Sequence, residues 1–556
     1  MHPDLGSRQQ ARELLERTRA AFELYRSYDQ ARVDRICYAM VEAGYRESRR
    51  LAELAVAETG FGRVESKEAK NRFATRGLWR YIRELKTCGL IASDPRRGVD
   101  DYADPFGVIA AIIPTTNPTS TALFKAIIAM KSRNGMVTSP HPRAVRCIAE
   151  SIRVVHEAAV EAGAPRDILT VMDEVTLEGT DELMKHRLTD LILATGGAGL
   201  VRAAYSSGKP AFGVGPGNSP AWIDRSADLA AAARAIVASQ TFDNGTICAS
   251  EQSLVLDRPI RDAFLAEMKK LGAHHCSAEE ARKLAGIVVR GRSMNAEIVG
   301  RYPHELARMA GFELPQETTV LLADCAGVGW EHPLSVEKLS PILSVFTEDG
   351  HDAGCRRCLE VLAFGGMGHT LAIHCRDEAV IREFAEKKPV NRILVNSPSS
   401  QGAVGYTTGL VPSMTLGCGS FGGNITSDNI GPMHLLNVKR LARVDGRWDT
   451  PDWRDDFPDL GPAPTAATAP ESRAVAPAAP QGPAPTRGRK PLWVPRPSQQ
   501  PETRCAVSGL RPEQVYSASD LEQIIRSALA NKRTDGCPFG RCADCPPERG
   551  GVCPGC

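Results

Sequence analysis

Apolar residues in the first sixty positions recur at helical spacing. "ARELLERTRAAFELY" and "VDRICYAMVEAGYRESRRLAELAVAETG" each gather them on one face, which predicts two amphipathic helices over residues 8 to about 60, with Gly60 as the stop. From Pro105 the period changes. "FGVIAAIIP" is an unbroken apolar run of strand length, "STALFKAIIAMKSRNG" returns to helical spacing, and "GMVTS" is strand again. "AVRCIAESIRVVHEAAVEAG" predicts a helix, "DILTVM" a strand, and "DLILATGG" a strand that enters a glycine turn. Such alternation is the pattern of a parallel α/β sheet. A second α/β stretch follows from about 221 to 404.

Past Asp455 the periodicity is lost. Twelve of the 38 prolines fall between Pro458 and Pro501, mixed with Ala, Gly, Thr and Arg, which predicts a disordered linker over 456–504. Within 505–533, "SASDLEQIIRSALANK" reads as a short helix in which Ser519 and Glu522 form a capping box. Leu521, Ile524, Ile525, Ala528 and Leu529 share one of its faces. The tail, 534–556, ends Cys542-x2-Cys545-x7-Cys553-x2-Cys556. Paired cysteines at that spacing suit thiolate ligation of zinc or of an iron–sulfur cluster, and they read equally as reduced, unligated thiols.

Composition narrows the classes. The 556 residues are 42% hydrophobic and 24% charged with a formal net charge of +2, so nothing draws the chain generally to nucleic acid or to an anionic membrane. No apolar run is long enough to cross a bilayer. The start is a charged helix-like segment without a signal-peptide core, so a cytoplasmic location is expected. Five of the sixteen cysteines lie in the last twenty residues, and in that compartment they are thiols or metal ligands rather than disulfides.

Candidate chemistry centres on "TFDNGTICASEQ", residues 241–252, where Cys248 sits among small, polar and turn-prone neighbours. A buried inert thiol is the ordinary reading of one cysteine. Here Asn244-Gly245 suits a tight turn whose free N–H groups would hold an oxyanion after thiolate attack on a carbonyl. Asn117, in "IIPTTNPTS", stands where an apolar strand ends, a position at which open α/β sheets bind ligands; it reads equally as an Asn-Pro turn. "ATGGAGLVRAAYSSGKP" places Gly196, Gly197 and Gly199 at a helix start, which fits a phosphate but falls short of a full dinucleotide fingerprint.

Taken together, "PTTNP", "ATGGAG", "GVGPGNSPAWID", "TFDNGTICASEQ", "EKLSPIL", "GGMGHTLAIH" and "ILVNSPSSQGAVG" follow the order and spacing of the aldehyde dehydrogenase superfamily. Over residues 8–445 the chain most closely resembles the CoA-acylating branch, which includes the aldehyde-oxidising half of bifunctional aldehyde–alcohol dehydrogenases and the microcompartment acetaldehyde and propionaldehyde dehydrogenases. The resemblance implies an aldehyde dehydrogenase-like α/β fold. Residues 1–220 would form a Rossmann-type cofactor domain and 221–404 the catalytic domain. Segments near 88–108 and over 405–455 would supply an oligomerisation element for a dimer or tetramer.

By the same resemblance Cys248 is the nucleophile, and Asn117 with the Cys248 N–H holds the oxyanion. NAD, or NADP, would lie against Thr115, Thr116, Ser139, His141, Thr195, Gly196, Gly197, Gly199, Gly215, Glu337 and His369. Hydrolytic members carry a glutamate base where this chain reads "GVGPGNSP", which puts Val214 in that place. Loss of a general base lowers a rate by about 10²–10⁴, whereas a thiol near pKa 8.5 is already roughly 3% thiolate at pH 7. CoA, not water, is therefore the expected acyl acceptor, with no carboxylate near the sulfur to ready a water. The expected substrate is a short-chain aldehyde, propionaldehyde or acetaldehyde. The capped tail helix resembles encapsulation peptides, which implies shell or cargo partners inside a bacterial microcompartment. The alternatives are a hydrolytic or CoA-dependent semialdehyde or sulfoacetaldehyde dehydrogenase, and a shell-binding scaffold with a degenerate enzyme body.

Overall fold

The computed structural model of the chain describes residues 2–444. The linker, the capped tail helix and the cysteine cluster expected beyond Asp455 all lie outside the described residues.

The unbroken apolar run 108–113 becomes the Val108–Ile113 strand, buried at all six positions and placed at the centre of a five-stranded parallel sheet. Gly135–Pro140 and Leu169–Val171 follow on one side of it, Leu191–Thr195 and Ala211–Val214 on the other. Only a strand covered on both faces tolerates apolar side chains at every position. One cover is the Pro118–Lys131 helix, itself buried along its whole length. Its Lys125 ammonium donates to the carbonyls of Ile112 (2.9 Å) and Leu193 (2.8 Å), on two adjacent central strands. On the Val145–Glu161 helix, Ile148, Ile152, Val155 and Ala159 repeat at three- and four-residue intervals and are buried. Each large aliphatic residue there contributes about 1.5–3 kcal/mol.

The amino-terminal stretch forms three helices, Pro3–Tyr25, Gln30–Arg46 and Ser48–Thr59, where the apolar period predicts two. The break falls at Glu47, whose ψ of 3° leaves the helical range. It separates two amphipathic segments that the apolar period alone runs together. Gly60 ends the third helix in the left-handed conformation, φ 69°.

A second sheet of seven parallel strands is built from residues 219–395. In its middle the order is Ile342–Glu348, Glu251–Asp257, Ser219–Ile223, Leu371–His374. Apart from both sheets, Gly89–Asp94, Val99–Pro105 and Leu436–Ala442 form a three-stranded antiparallel sheet in which Leu436 pairs with Pro105 and Ala442 with Val99. The two segments expected to supply an oligomerisation element thus meet in one ribbon. Among the described residues no helix is long and apolar enough to cross a membrane.

Candidate active site

Four adjacent strands of the seven-stranded sheet are preceded by loops that converge. Glu337 precedes Ile342–Glu348, Cys248 precedes Glu251–Asp257, Gly217 precedes Ser219–Ile223, and His369 precedes Leu371–His374. Cys248 is half-buried and His369 fully buried. Their reactive atoms, Sγ and Nε2, are 3.1 Å apart, and His369 Nδ1 lies 2.9 Å from the Thr370 hydroxyl. The Gly217 N–H donates to Glu337 Oε1 at 2.8 Å. A side chain at Gly217 would collide with the Cys248 carbonyl, and its Cβ would stand 2.9 Å from the His369 ring, so only glycine lets these three loops close up.

Burial governs the electrostatics. It pushes the Cys248 thiol up to about 12, with the Glu337 carboxylate adding to the rise. It pushes His369 down to about 3, with the Arg392 guanidinium lowering it further. At neutral pH the pair therefore rests as thiol and neutral imidazole, joined by a hydrogen bond. Glu337 is itself pushed up to about 7 by burial, partly offset by the Gly217 N–H. His369, expected among the cofactor contacts, is hydrogen-bonded to the nucleophile, delivered beside Gly217 by the Gly366–Thr370 turn. One expectation is corrected here: a carboxylate does lie near the sulfur, with Glu337 close enough to disfavour the thiolate.

Asn117 joins this site from the other sheet. It follows the Val108–Ile113 strand, caps the Pro118–Lys131 helix, and donates from Nδ2 to the Thr246 carbonyl and to Thr116 Oγ1, both at 3.2 Å. Its Oδ1 accepts from the Lys70 ammonium. Sequence reasoning missed Lys67, Lys70 and Asp243. The lysines lie on one face of the Val64–Arg72 helix, "VESKEAKNR", whose charge reads as solvated, yet both are buried. Each donates to Asp243 Oδ2, as does the Thr246 hydroxyl, while Asp243 Oδ1 accepts the Arg63 N–H at 2.7 Å. Asp243, Asn244 and Gly245 have φ of 53°, 51° and 72°. Two consecutive non-glycine residues in the left-handed region persist only where surrounding bonds hold them. The one sequence signal was an aspartate without evident purpose five residues before the cysteine.

The remaining expected contacts line the carboxyl edge of the five-stranded sheet: Thr115 and Thr116 after its central strand, Ser139 and His141 at the next, Thr195 to Gly199 after Leu191–Thr195, and Gly215 after Ala211–Val214. The helix Ala198–Tyr205 has Gly197 as its cap and no side chain bonded to its first turn. A Cβ on Gly197, Gly199 or Gly215 would meet nothing within 4 Å, and the buried Thr195 hydroxyl has no hydrogen-bond partner among the described residues. Open backbone at a helix start beside an unpaired hydroxyl fits a phosphate-bearing dinucleotide. Ser139 does not share this openness, since it is buried with its hydroxyl 2.8 Å from that of Thr180. His141 accepts the Arg143 N–H at 3.1 Å, and burial lowers its pKa. Val214 is buried at the end of its strand, paired with Thr195.

The pattern of the aldehyde dehydrogenase family matches residues 1–276. The bifunctional aldehyde-alcohol dehydrogenase of Escherichia coli (strain K12) is 41% identical over 435 residues, 77% of this chain and 49% of that protein, so the chain spans about half the length of that relative. The crystal structure of an acetylating aldehyde dehydrogenase from Geobacillus thermoglucosidasius superposes with a TM-score of 0.78 at 48% identity, covering 79% of this chain and 98% of that one. A propionaldehyde dehydrogenase from the fucose utilisation bacterial microcompartment of Clostridium phytofermentans superposes with a TM-score of 0.71 at 27% identity, covering 78% and 97%.

Proposed function

The chain belongs to the aldehyde dehydrogenase family, and on that premise we propose that it is a CoA-acylating enzyme converting a short-chain aldehyde, CoA and NAD(P)+ to acyl-CoA and NAD(P)H. The observation that carries the reading is the contact of 3.1 Å between Cys248 Sγ and His369 Nε2; the resemblance, which puts Val214 where hydrolytic members carry a glutamate, supports CoA as the acceptor.

Because the resting sulfur is protonated and the imidazole neutral, Cys248 gives its proton to His369 Nε2 as the C–S bond to the aldehyde forms. Asn117 Nδ2 exchanges its contact with Thr116 Oγ1 for the new oxyanion, which the Cys248 N–H also meets. A bound oxidised nicotinamide supplies the hydride acceptor. Cys248 is left as a thioester. His369 releases the Cys248 proton to solvent, then takes the proton of the CoA thiol as the CoA sulfur attacks the thioester carbon, and returns it to the departing Cys248 sulfur.

Propionaldehyde or acetaldehyde is the proposed substrate, in a bacterial microcompartment. The support is the capped amphipathic pattern beyond the proline-rich stretch, together with the likeness to the Clostridium phytofermentans protein. A homo-oligomer is proposed through the three-stranded ribbon, which exposes Leu90, Tyr102 and Leu441. Cys542, Cys545, Cys553 and Cys556 are the proposed thiolate ligands of zinc or of an iron–sulfur cluster.

The test of the reaction is product formation by wild type and Cys248→Ala with and without CoA. We expect CoA-dependent NAD(P)H production that the substitution abolishes, and an acyl mass on Cys248 when CoA is withheld. Equal rates without CoA would favour the hydrolytic alternative, and acylation at another residue would remove the nucleophile assignment.

A further inference from the structure

The cluster behind the site holds more charge than its carboxylate needs. Lys67 and Lys70 are 1% and 3% exposed and share the single, fully buried Asp243. One ammonium neutralises one carboxylate; a second, taken out of water without its own counter-charge, is destabilising by several kcal/mol in general. What each lysine does with its remaining donors separates them. Lys67 donates to the Thr116 carbonyl at 3.0 Å, whereas Lys70 donates to Asn117 Oδ1. The bonds then close a ring. Lys70 joins Asn117 to Asp243, Asp243 accepts the Thr246 hydroxyl at 2.8 Å, and the Thr246 carbonyl accepts Asn117 Nδ2 at 3.2 Å.

We propose that Lys70 is a positioning residue that fixes which end of the Asn117 amide faces the nucleophile. An asparagine amide has an acceptor end and a donor end of nearly equal shape, and a half-turn about its last bond exchanges them. In the exchanged orientation Oδ1 would point toward the Cys248 loop and repel an oxyanion. An ammonium only donates, so it meets Oδ1 and rejects the NH2 group. With Lys70 in place, the donor end is the one turned to Thr246 and to the developing charge. The ammonium also draws electron density toward Oδ1, which strengthens the opposite N–H groups as donors. The ring transmits this to the loop itself, because Asp243 holds the left-handed turn that leads into Cys248.

The inference rests on Asn117 being the oxyanion donor, and a double-mutant cycle tests the two separately. Lys70→Met leaves Asp243 paired with Lys67, so the buried charges still balance. We expect it to lower kcat about 10-fold or more, short of the 10²–10³ that follows complete loss of an oxyanion donor, with the KM for cofactor and for CoA within about twofold. Lys67→Met, which removes the same charge from Asp243 but keeps the Asn117 contact, should cost at most about threefold. Lys70→Arg, still a donor-only cation, should recover most of the rate. In an Asn117→Ala background Lys70→Met should change kcat little, since nothing remains to orient. Equal losses in the two Met variants, or losses that multiply in the Asn117→Ala background, would reduce Lys70 to charge balance and overturn the proposal. So would a folded but inactive Lys70→Arg beside an unfolded Lys70→Met. If Asn117→Ala alone keeps the wild-type rate, the oxyanion assignment fails first, and it fails whatever Lys70 does.

Discussion

The two parallel sheets bring opposite edges together, joined where Asn117 meets Thr246. The five-stranded sheet uses its carboxyl edge, where Gly197, Gly199 and Gly215 stand before open space and the Thr195 hydroxyl is unpaired among the described residues. The seven-stranded sheet uses its amino edge, where Glu337, Cys248, Gly217 and His369 are packed against one another and bonded. One edge is open, with backbone that fits a ligand; the other is packed, held by a buried ion cluster and a strained turn. Asn117 belongs to the first edge and reaches the second through the Thr246 carbonyl. If binding and chemistry divide along these edges, substitutions on either side of Asn117 should separate them.

The strongest challenge to that division is His369, since the resemblance placed it on the binding side. His369→Ala should lower CoA-dependent turnover by about 10²–10⁴, as removal of a general base does. Cofactor affinity, measured by fluorescence titration, should stay unchanged. The reverse pattern, weak cofactor binding with turnover retained, would return the histidine to the binding edge and dissolve the contrast.

Titration of the sulfur sharpens the same contrast. A raised thiol pKa means that the thiolate is scarce at neutral pH and grows as pH rises. Alkylation of Cys248 by iodoacetamide in the cofactor-free enzyme should therefore accelerate about tenfold per pH unit from 7 to 10, with no plateau below about 12. His369, depressed to about 3, stays neutral throughout and adds no inflection. Glu337 opposes the thiolate only when ionised, and its own value stands at about 7. Glu337→Gln should speed alkylation severalfold at pH 9 and leave it almost unchanged at pH 5. A plateau near pH 8 would mean that burial does not control the thiol.

The open edge was the more legible in sequence. Strand ends announced themselves through apolar runs such as 108–113, and glycines at a helix start have a local reason to be there. From the residues themselves the packed edge was legible only at Cys248; Glu337 and His369 were named through the family resemblance alone. Its partners come from loops far apart in the chain, with His369 lying 121 positions from the cysteine and Lys67 lying 176 from Asp243. Burial of two lysines on a polar helix has no periodic signature, because the pattern of "VESKEAKNR" is that of a solvated face. The ribbon strand Leu436–Ala442 was hidden for a related reason: most of its residues are exposed, so no alternation marks it. Nor does sequence tell which edge of a parallel sheet a loop lies on until the strand order is known.

The smallest expected effect bears on the open edge alone. Gly197 has φ −66° and ψ 163°, a conformation that alanine adopts freely, and a Cβ there meets nothing within 4 Å among the described residues. Gly197→Ala should thus leave Tm, the alkylation profile of Cys248 and kcat at saturating cofactor unaltered. If a phosphate approaches this backbone, the added methyl stands in its path, and the KM for cofactor should rise about fivefold, on the order of 1 kcal/mol. The absence of any effect would mean that the space in front of Gly197 is not where the dinucleotide lies, even with the Cys248 chemistry intact. A fall in kcat with KM constant would be the more damaging result, because a change at the binding edge would then have reached the sulfur, and the two edges could no longer be treated as independent.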